Sequence, residues 1–250
     1  MIAKRTLLDR APLLRRRLQG LEGADGCRVR RAVTAEDLAE ACRLADQAEA
    51  SGPGWRCVSS APGSLHLAPP ETAVFVAEAD GQVVGVLALA PDTPDRGLPG
   101  DAVFGRELDL LRHMGTRIAE VTHVALAPDG RGLDVLTALW QACVAWALDE
   151  DCDELFVAVS GHYERLLEEA LAFERWDLQR SGGGGDRLFG KRFSVAGARR
   201  RLLLADARLG ADAFLVNFFL DANPYRACAA GKGASGAPAA AEHLAAAAVG

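Results

Sequence analysis

The segment Ile118–Leu148, IAEVTHVALAPDGRGLDVLTALWQACVAWAL, limits the possible folds more than any other part of the sequence. It begins with a β-rich run, continues through the turn Ala127–Gly132, and ends in a long apolar stretch with helical periodicity. A strand that leads through a tight turn into an apolar helix must bury both elements in one core, which is typical of α/β architecture. The sequence therefore predicts a strand at Ile118–Leu126 and a helix that follows the turn and ends near Asp149.

Patterns in the other segments predict further strands and helices on both sides of this unit. Strands are predicted in CRVRRAV, in both arms of AVFVAEADGQVVGVLALA, in ELFVAVS and in RLFGKRFSV. Helices are predicted in TAEDLAEACRLADQAEA, VFGRELDLLRHMG, HYERLLEEALAFE and the apolar region Ala198–Leu220. The pair Asp80-Gly81 predicts a tight hairpin, and Thr34 with Asp37 predicts a capped helix start. This order implies an α/β fold built on a mixed sheet, as in α+β proteins. One pair of neighbouring strands in that sheet is expected to be parallel.

The composition divides the chain into one domain with additions at both ends. Residues 1–26 are predicted to be a basic amphipathic extension, and residues 27–195 to be the globular domain. Residues 196–226 are predicted to form a C-terminal helical extension. Residues 227–250 are a low-complexity segment that we expect to be disordered.

Charge and cysteine content exclude several classes of function. The net charge of −6 and the pI near 5.4 exclude a general nucleic-acid binder, because such proteins carry a basic surplus. The six cysteines form no C-x-x-C pair, which predicts neither a metal site nor a disulfide framework but reduced thiols and a cytoplasmic protein. No apolar run is long enough to predict a transmembrane segment. The basic N-terminus is still a candidate for peripheral contact with an acidic membrane surface.

Three stretches carry a family resemblance: VFVAEADGQVVGVLAL, GLPGDAVFGRELDLLRHMGTRIAEVTHVALAP and LFVAVSGHYERLLEEALAFE. The run Thr72–Phe173 that contains them resembles the catalytic core of the FeeM-type N-acyl amino acid synthases, which are similar to the LuxI-type acyl-homoserine lactone synthases. The element order is that of the GCN5-related N-acetyltransferase (GNAT) fold. The resemblance implies a central twisted mixed β-sheet flanked by helices in residues 27–195, and an acyltransferase.

The turn before the long helix bears on the acyl donor. In ordinary GNAT proteins it resembles R-x-x-G-x-G/A, and its backbone N–H groups cradle the pyrophosphate of coenzyme A. Aligned on its proline, this chain has Arg131 at the basic position but Asp134 and Leu136 where the glycines belong. A carboxylate repels the pyrophosphate, and a branched side chain blocks close approach of the backbone. The resemblance therefore implies acyl carrier protein as the donor's carrier, rather than acyl-CoA. Its phosphopantetheine arm is expected beside Gly130, Arg131 and Gly132, with no tightly bound cofactor and no metal.

Glu120 is the first candidate for the catalytic chemistry. Amide formation from a thioester needs a neutral amine, and the resemblance implies that Glu120 accepts the ammonium proton. A carboxylate between Ala119 and Val121 in a central strand is costly to bury without such a role. The alternative is a structural salt bridge with a nearby arginine, for which the candidates are Arg106, Arg112 and Arg117.

His123 and Tyr163 are the other catalytic candidates. His123 has an ordinary pKa near neutrality, but it lies three residues from Glu120. In a regular strand the two side chains face opposite sides, so a β-bulge is needed to bring them together. The alternative for His123 is a structural histidine. The resemblance implies that Tyr163 protonates the leaving thiolate, and the alternative is that it packs on the core.

The remaining candidates concern substrate binding. Arg106 or Arg112 is predicted to bind the carboxylate of the amino acid acceptor, because a guanidinium matches a carboxylate in geometry. The resemblance to the GNAT fold implies that a backbone N–H in the stretch Val124–Leu126 stabilises the oxyanion, with Val124 and Leu126 as candidates. The basic run Arg199–Arg201 is a candidate landing place for the acidic carrier protein. The predicted lining of the acyl channel includes Leu98, Phe104, Leu108 and Leu111, and the alternative is that these side chains are simply part of the core.

Three functions remain open at this stage. The first is transfer of a fatty acyl group from acyl carrier protein to the amine of an amino acid. The second is a conventional acetyl-CoA-dependent N-acetyltransferase of the GNAT class. The third is a catalytically silent GNAT-like binding module, in which the carboxylate of Glu120 is held in a buried ion pair.

Overall fold

A seven-stranded mixed sheet forms the centre of the protein. The structure, a computed structural model, describes residues 27–50, 65, 68–128, 132–160, 173–181, 187–209, 216–221 and 223–225. The strands are β1 (Arg28–Arg31), β2 (Ala73–Ala79), β3 (Gln82–Pro91), β4 (Ile118–Leu126), β5 (Glu154–Ser160), β6 (Glu174–Ser181) and β7 (Arg187–Ser194). The helices are α1 (Ala35–Ala50), α2 (Asp101–His113), α3 (Gly132–Asp149) and α4 (Val195–Leu209), followed by a one-turn π-helix at Asn217–Asp221.

The strand order is β1-β2-β3-β4-β5-β7-β6. Strands β4 and β5 are parallel, and every other neighbouring pair is antiparallel. A parallel neighbour requires a crossover connection, and α3 supplies it between β4 and β5. The mixed sheet with one parallel pair, predicted from the order of the elements, is confirmed.

The helices cover both faces of the sheet. Helix α3 packs on one face, where Leu136, Leu139 and Cys143 are buried against sheet residues such as Leu87 and Val121. Helices α1 and α2 cover the opposite face with two further apolar clusters. A central strand between these layers is apolar on both sides, which explains why β4 is buried along nearly its whole length.

Two local predictions are confirmed at the level of single hydrogen bonds and torsion angles. The hairpin between β2 and β3 turns at Asp80 (φ 52°) and Gly81 (φ 74°), the left-handed conformations that a tight hairpin requires. Helix α1 begins with a reciprocal cap: Asp37 N–H donates to Thr34 Oγ1 at 3.1 Å, and Thr34 N–H donates to Asp37 Oδ2 at 3.2 Å. Both are encoded locally, so neighbouring residues suffice to predict them.

Strand β6 was missed by the sequence patterns. Its sequence, ERWDLQRS, is rich in charged residues and lies at the edge of the sheet, where antiparallel pairing with β7 supplies its backbone hydrogen bonds. The region Ala198–Leu220, predicted to be helical, contains most of α4 and the π-helical turn. The predicted helix in HYERLLEEALAFE, the N-terminal extension and the low-complexity tail lie outside the described residues. Among the helices that are described, none has the length and apolarity needed to cross a bilayer.

The cap of α1 generates a stability prediction. Replacing Thr34 with Ala removes the hydroxyl that holds the Asp37 N–H, so we expect the free energy of unfolding to fall by about 1 kcal/mol. Urea unfolding followed by circular dichroism measures the change. The Thr34→Ser control keeps the hydroxyl and should retain most of the stability. Equal values for Thr34→Ala and the wild type would contradict the role of the cap.

Candidate active site

Glu120 is completely buried on β4, on the face of the sheet that α2 covers. Its register partners are Ala90 on β3 and Phe156 on β5. One carboxyl oxygen, Oε2, accepts a hydrogen bond of 2.7 Å from the backbone N–H of Gly100, the residue before α2. The other oxygen, Oε1, has no hydrogen-bond partner among the described residues. A buried carboxyl group with one unused oxygen is rare, because burial without a partner costs free energy.

The surroundings of Glu120 raise its proton affinity. Burial raises the pKa of Glu120 to about 8, since a low-dielectric environment disfavours the charged carboxylate. The hydrogen bond from Gly100 opposes this rise in pKa, and the negative charge of Asp101 adds to it. Near neutral pH the free protein therefore holds mostly the protonated form. A group with this pKa can gain or lose a proton close to physiological pH.

The contact between Gly100 and Glu120 requires glycine. A Cβ atom added at Gly100 would lie 2.7 Å from Phe156 Cε1 and 3.0 Å from Glu120 Oε2. Both distances are shorter than van der Waals contact, so any larger residue would push the α2 N-terminus away from β4. Glycine thus permits the approach that lets a backbone N–H reach the buried carboxyl group.

The predicted alternative of a salt bridge to Glu120 is not found. Arg112 is engaged by three aspartates, Arg117 pairs with two aspartates in the turn before β5, and Arg106 is exposed. In the part of the chain that the structure describes, Glu120 forms no ion pair with any of these three arginines. The structural alternative to catalysis, a buried ion pair that occupies the carboxylate, therefore lacks its partner.

Arg112 is saturated with hydrogen bonds. Its Nε and Nη2 donate to Asp92 at 2.6 and 2.9 Å, and its Nη1 and Nη2 donate to Asp101 at 2.9 and 2.8 Å. A further bond of 2.7 Å joins Nη1 to Asp109. A guanidinium has five N–H groups, and these bonds use all of them. Arg112 is thus not available to bind a substrate carboxylate in this arrangement, which corrects the expectation from the sequence.

A β-bulge brings His123 to the same face as Glu120. Ala88 on β3 pairs with His123, while the next residue, Leu89, pairs with Val121, so Thr122 is the extra residue of a bulge in β4. The bulge resets the alternation of side chains. The spacing of the two residues predicted that they share a face only if β4 contains a bulge, and the structure contains one.

The surroundings of His123 keep its ring neutral. Burial lowers the pKa of His123 to about 4, and the negative charge of Asp46 on α1 opposes this only in part. Its Nδ1 lies 3.0 Å from Thr122 Oγ1, whose hydroxyl donates to Ala88 O at 3.4 Å. In the neutral ring, the tautomer decides whether Nδ1 donates to this hydroxyl or accepts from it.

Strands β4 and β5 separate immediately after Glu120. Their parallel pairing covers only Ile118, Ala119 and Glu120 on β4, whereas β5 continues to pair with β7 as far as Ser160. The two central strands therefore diverge toward the end of β4 that leads into α3. Glu120 lies at the last paired position.

Two backbone groups of β4 point toward this divergence. Ala127 N–H donates to Val84 O on β3 at 2.8 Å. Because hydrogen-bonded and non-hydrogen-bonded pairs alternate along an antiparallel ladder, the N–H groups of Val124 and Leu126 point away from β3. They are thus directed toward β5, where an oxyanion of a reacting thioester would need donors.

The predicted acyl-channel residues Leu98, Phe104 and Leu108 pack together where α2 faces the sheet. They share an apolar cluster with Phe156, and the rings of Phe104 and Phe156 meet edge to face at 5.6 Å. All four side chains are buried or nearly so. The cluster lies on the same face of the sheet as Glu120, and its role as an acyl channel stays a prediction.

The start of α3 lacks the features of a pyrophosphate cradle. Leu136 is buried in the core, and Asp134 places a carboxylate in the first helical turn. A Cβ added at Gly132 would make only an ordinary contact of 3.6 Å with Leu126 Cδ1, so packing does not require glycine there.

Gly130, Arg131 and Tyr163 lie outside the described residues, and their predicted roles stay predictions.

A cavity of about 890 Å³ lies at the N-terminal end of β4. Its lining includes Asp92, Gly97, Arg112, Ala119 and Trp146. The side chain of Glu120 is not part of this lining, so the volume of the cavity does not identify the reacting centre. Glu120, where the unused carboxyl oxygen and the strand divergence coincide, stays the candidate for that centre.

Gly100 and Asp101 are the site residues that the sequence analysis missed. They belong to GLPGD, the start of one stretch that carries the family resemblance, but neither residue was assigned a role. A glycine placed just before a predicted helix, twenty residues from a carboxylate in a central strand, gives no signal that the two meet.

Across the described residues, no cluster of three or more His, Cys, Asp or Glu side chains is arranged to hold a metal ion.

Comparison with known families agrees with this geometry. Residues 63–184 match the family described as N-acyl amino acid synthase FeeM. No curated protein sequence matches the chain. The resemblance stated from the sequence is confirmed by the family match.

Two solved structures have the same fold. The structure of FeeM, an N-acyl amino acid synthase from uncultured soil microbes, superposes with a TM-score of 0.62 at 20% identity, covering 72% of this chain and 96% of that one. An agmatine N-acetyltransferase gives a TM-score of 0.52 at 12% identity, covering 68% of this chain and 100% of that one. The predicted GNAT fold is thereby confirmed. Together with the family match, this fold supports an acyltransferase.

The close approach at Gly100 generates a prediction with a control in the same helix. Gly100→Ala should destabilise the protein by about 1–3 kcal/mol, because the added methyl group overlaps Phe156 and Glu120. Gly105→Ala adds the same methyl group where the nearest atom is 4.0 Å away. It should be neutral, or stabilise α2 by up to roughly 1 kcal/mol. Thermal and urea unfolding compare the two, and equal effects would refute the steric argument.

The raised pKa of Glu120 predicts a pH dependence of stability. The native protein binds its proton with a pKa of about 8, compared with the ordinary value of 4.5, so it holds more protons than the unfolded chain between these values. Stability from this group is complete below pH 4.5 and is lost as the pH rises through 8. In Glu120→Gln this loss should be absent, a difference on the order of 4 kcal/mol between pH 5 and 9. Parallel stability curves for the two proteins would contradict the raised pKa.

Proposed function

We propose that this acyltransferase moves a fatty acyl group from acyl carrier protein to the amine of an amino acid. The observation that carries the proposal is the buried Glu120, whose Oε1 has no partner in the described structure and which lies where β4 and β5 diverge. An incoming amine can supply the hydrogen bond that Oε1 lacks. The match to the N-acyl amino acid synthase family supports the choice of reaction.

The proposed reaction is an aminolysis of a thioester. The amine nitrogen attacks the thioester carbonyl, the C–N bond forms, and the C–S bond breaks to release the thiol of the phosphopantetheine arm. The amine reaches the protein as an ammonium ion and must lose a proton before it can attack. In the proposal Glu120 takes this proton, and Tyr163 is the proposed donor of the proton that the leaving thiolate requires.

Glu120 is a better base than His123. A base is most effective when its pKa lies near that of its task, and the pKa of Glu120, about 8, is far above that of His123, about 4. A nearby ammonium ion also favours the ionised form of Glu120, so substrate binding itself lowers the pKa of this carboxyl group. His123, on the same face, is proposed to help orient the acceptor.

Backbone donors complete the proposed centre. The N–H groups of Val124 and Leu126 point toward the gap between β4 and β5, where the thioester carbonyl would lie. Donors fixed by a strand need no reorganisation when the oxyanion forms, which is why such groups contribute strongly to catalysis. Leu98, Phe104 and Leu108 are the proposed apolar lining for the acyl chain.

A carrier-bound donor fits the start of α3 better than coenzyme A. The side chain of Leu136 belongs to the core, and the carboxylate of Asp134 would repel a pyrophosphate at the helix N-terminus. A phosphopantetheine arm on acyl carrier protein brings no pyrophosphate to this place. The basic residue Arg199, which is more than half exposed although it pairs with Asp221, lies in the proposed landing surface for the acidic carrier protein.

The acceptor carboxylate is assigned to Arg106 rather than Arg112. Every N–H group of Arg112 donates to Asp92, Asp101 or Asp109, whereas Arg106 is exposed on the same helix. Which amino acid serves as the acceptor is determined by identifying the products of the reaction.

Mass spectrometry of lipid extracts tests the proposal. Cells that overproduce the protein should accumulate N-acyl amino acids that are absent from cells producing Glu120→Gln, a variant that keeps the size of the side chain but cannot accept a proton. The masses of the products identify the acyl length and the acceptor. If no such lipid forms with the wild type, the proposal falls, and binding of acetyl-CoA becomes the next measurement.

The pH dependence of the purified enzyme gives an independent test. Because Glu120 must be ionised to act as the base, kcat/KM should rise roughly tenfold per pH unit below about pH 8 and level off above it. Purified acyl carrier protein loaded with a fatty acyl group serves as the donor. A profile that is flat between pH 6 and 8 would exclude Glu120 as the base.

A further inference from the structure

A charged cluster beside Glu120 holds the loop that covers it. Arg112 forms paired hydrogen bonds to Asp101, at the start of α2, and to Asp92, just beyond β3, so it ties the helix N-terminus to the sheet. Both aspartates are less than one-third exposed, as is Arg112. Paired bonds between a guanidinium and a carboxylate fix orientation as well as distance.

The loop Gly97–Gly100 is wrapped around the same carboxylate. Asp101 Oδ2, one of the oxygens that Arg112 holds, also accepts the N–H of Leu98 at 2.7 Å. Gly97 adopts φ 66°, and a Cβ there would lie 2.4 Å from Asp101 Oδ2. The position of Asp101 therefore sets the path of the loop, and the loop sets the position of the Gly100 N–H.

We propose that Arg112 is a positioning residue: by holding Asp101 it fixes the Gly100 amide against the carboxyl group of Glu120. A connected path of short contacts carries the effect. It runs from Arg112 to the two oxygens of Asp101, then along one peptide bond to Gly100, and then through a 2.7 Å hydrogen bond to Glu120 Oε2. This inference depends on the proposed function only where it treats Glu120 as the base.

The electrostatic surroundings give the sign of the expected effects. Helix α2 brings Asp101 and Arg112 near Glu120, Asp92 follows β3, and His123 shares its face on β4. From β5 the facing residue is Phe156, which is apolar. The Gly100 bond lowers the pKa of Glu120 and the charge of Asp101 raises it. Loosening the loop and removing the charge of Asp101 should therefore shift the titration in opposite directions.

Titration by nuclear magnetic resonance tests the inference without any substrate. The full-length protein is labelled with ¹³C at the side-chain carboxyl carbon of glutamate and with ¹⁵N, and its spectra are followed from pH 5 to 10. The Glu120 signal is identified by its absence in Glu120→Gln. Amide hydrogen exchange at Gly100 is measured in the same samples.

Arg112→Lys separates positioning from charge. Lysine keeps the positive charge but cannot form two paired contacts, so we expect the Glu120 titration to move upward by about half a unit or more. The Gly100 amide should exchange roughly tenfold faster. The matched control is Arg117→Lys, the same change at an arginine that pairs with Asp151 and Asp153 on the surface. An Arg112→Lys protein that titrates and exchanges like this control would overturn the inference.

Asp101→Asn is the second variant, and it tests the positioning role even if Arg112→Lys does not fold. Asparagine keeps one oxygen for the Leu98 N–H but replaces the other oxygen that Arg112 holds with an NH2 group, so the Gly100 amide should exchange roughly tenfold faster, whichever way the lost charge moves the Glu120 titration. Gly100 exchange equal to that of the wild type would overturn the inference. If both variants behave as expected but the wild type makes no N-acyl product, the positioning role stands and the proposed function fails instead.

Discussion

The hydrogen bond from the Gly100 amide to Glu120 is the interaction on which the site depends. It joins the N-terminus of α2 to the centre of the sheet through a close approach that lets a backbone donor reach the buried carboxyl group of Glu120. It leaves one oxygen of Glu120 unsatisfied in the described structure, at the point where β4 and β5 part. The free energy of burying this group is not recovered locally, which is typical of residues kept for chemistry rather than for stability.

Burial and charge divide the polar groups on this face of the sheet into distinct roles. Glu120 has its pKa raised to about 8 and His123 has its pKa lowered to about 4, both mainly by burial, so each is neutral over much of the range between. Arg112 stays charged, and three aspartates bind it completely. Burial thus produces a carboxyl group that titrates near physiological pH and a neutral hydrogen-bonding ring, while the aspartates keep Arg112 a fixed structural cation.

Much of the fold followed from local patterns, and much of the site did not. The hairpin at Asp80 and Gly81 and the cap at Thr34 depend on neighbouring residues, so the sequence predicts them directly. Glu120 was identified because a carboxylate in an apolar strand is unusual and because the family resemblance pointed to it. Gly100 was missed, since its contact is made across twenty residues of sequence and its glycine has no local purpose. The edge strand β6 was missed because its pairing with β7, rather than its own composition, makes it a strand.

The sequence by itself determined six of the seven strands of the mixed sheet, the Gly-bearing turn before α3, the absence of a glycine-rich cradle there and the carboxylate in the central strand. These are properties of residue type and short-range spacing. Only the tertiary structure decided which groups surround that carboxylate: the bulge at Thr122 that turns His123 toward it, the Gly100 amide that holds it, and the aspartates that occupy Arg112. Proton affinity depends on burial and on neighbours brought together by folding, and no local pattern of residues contains that information.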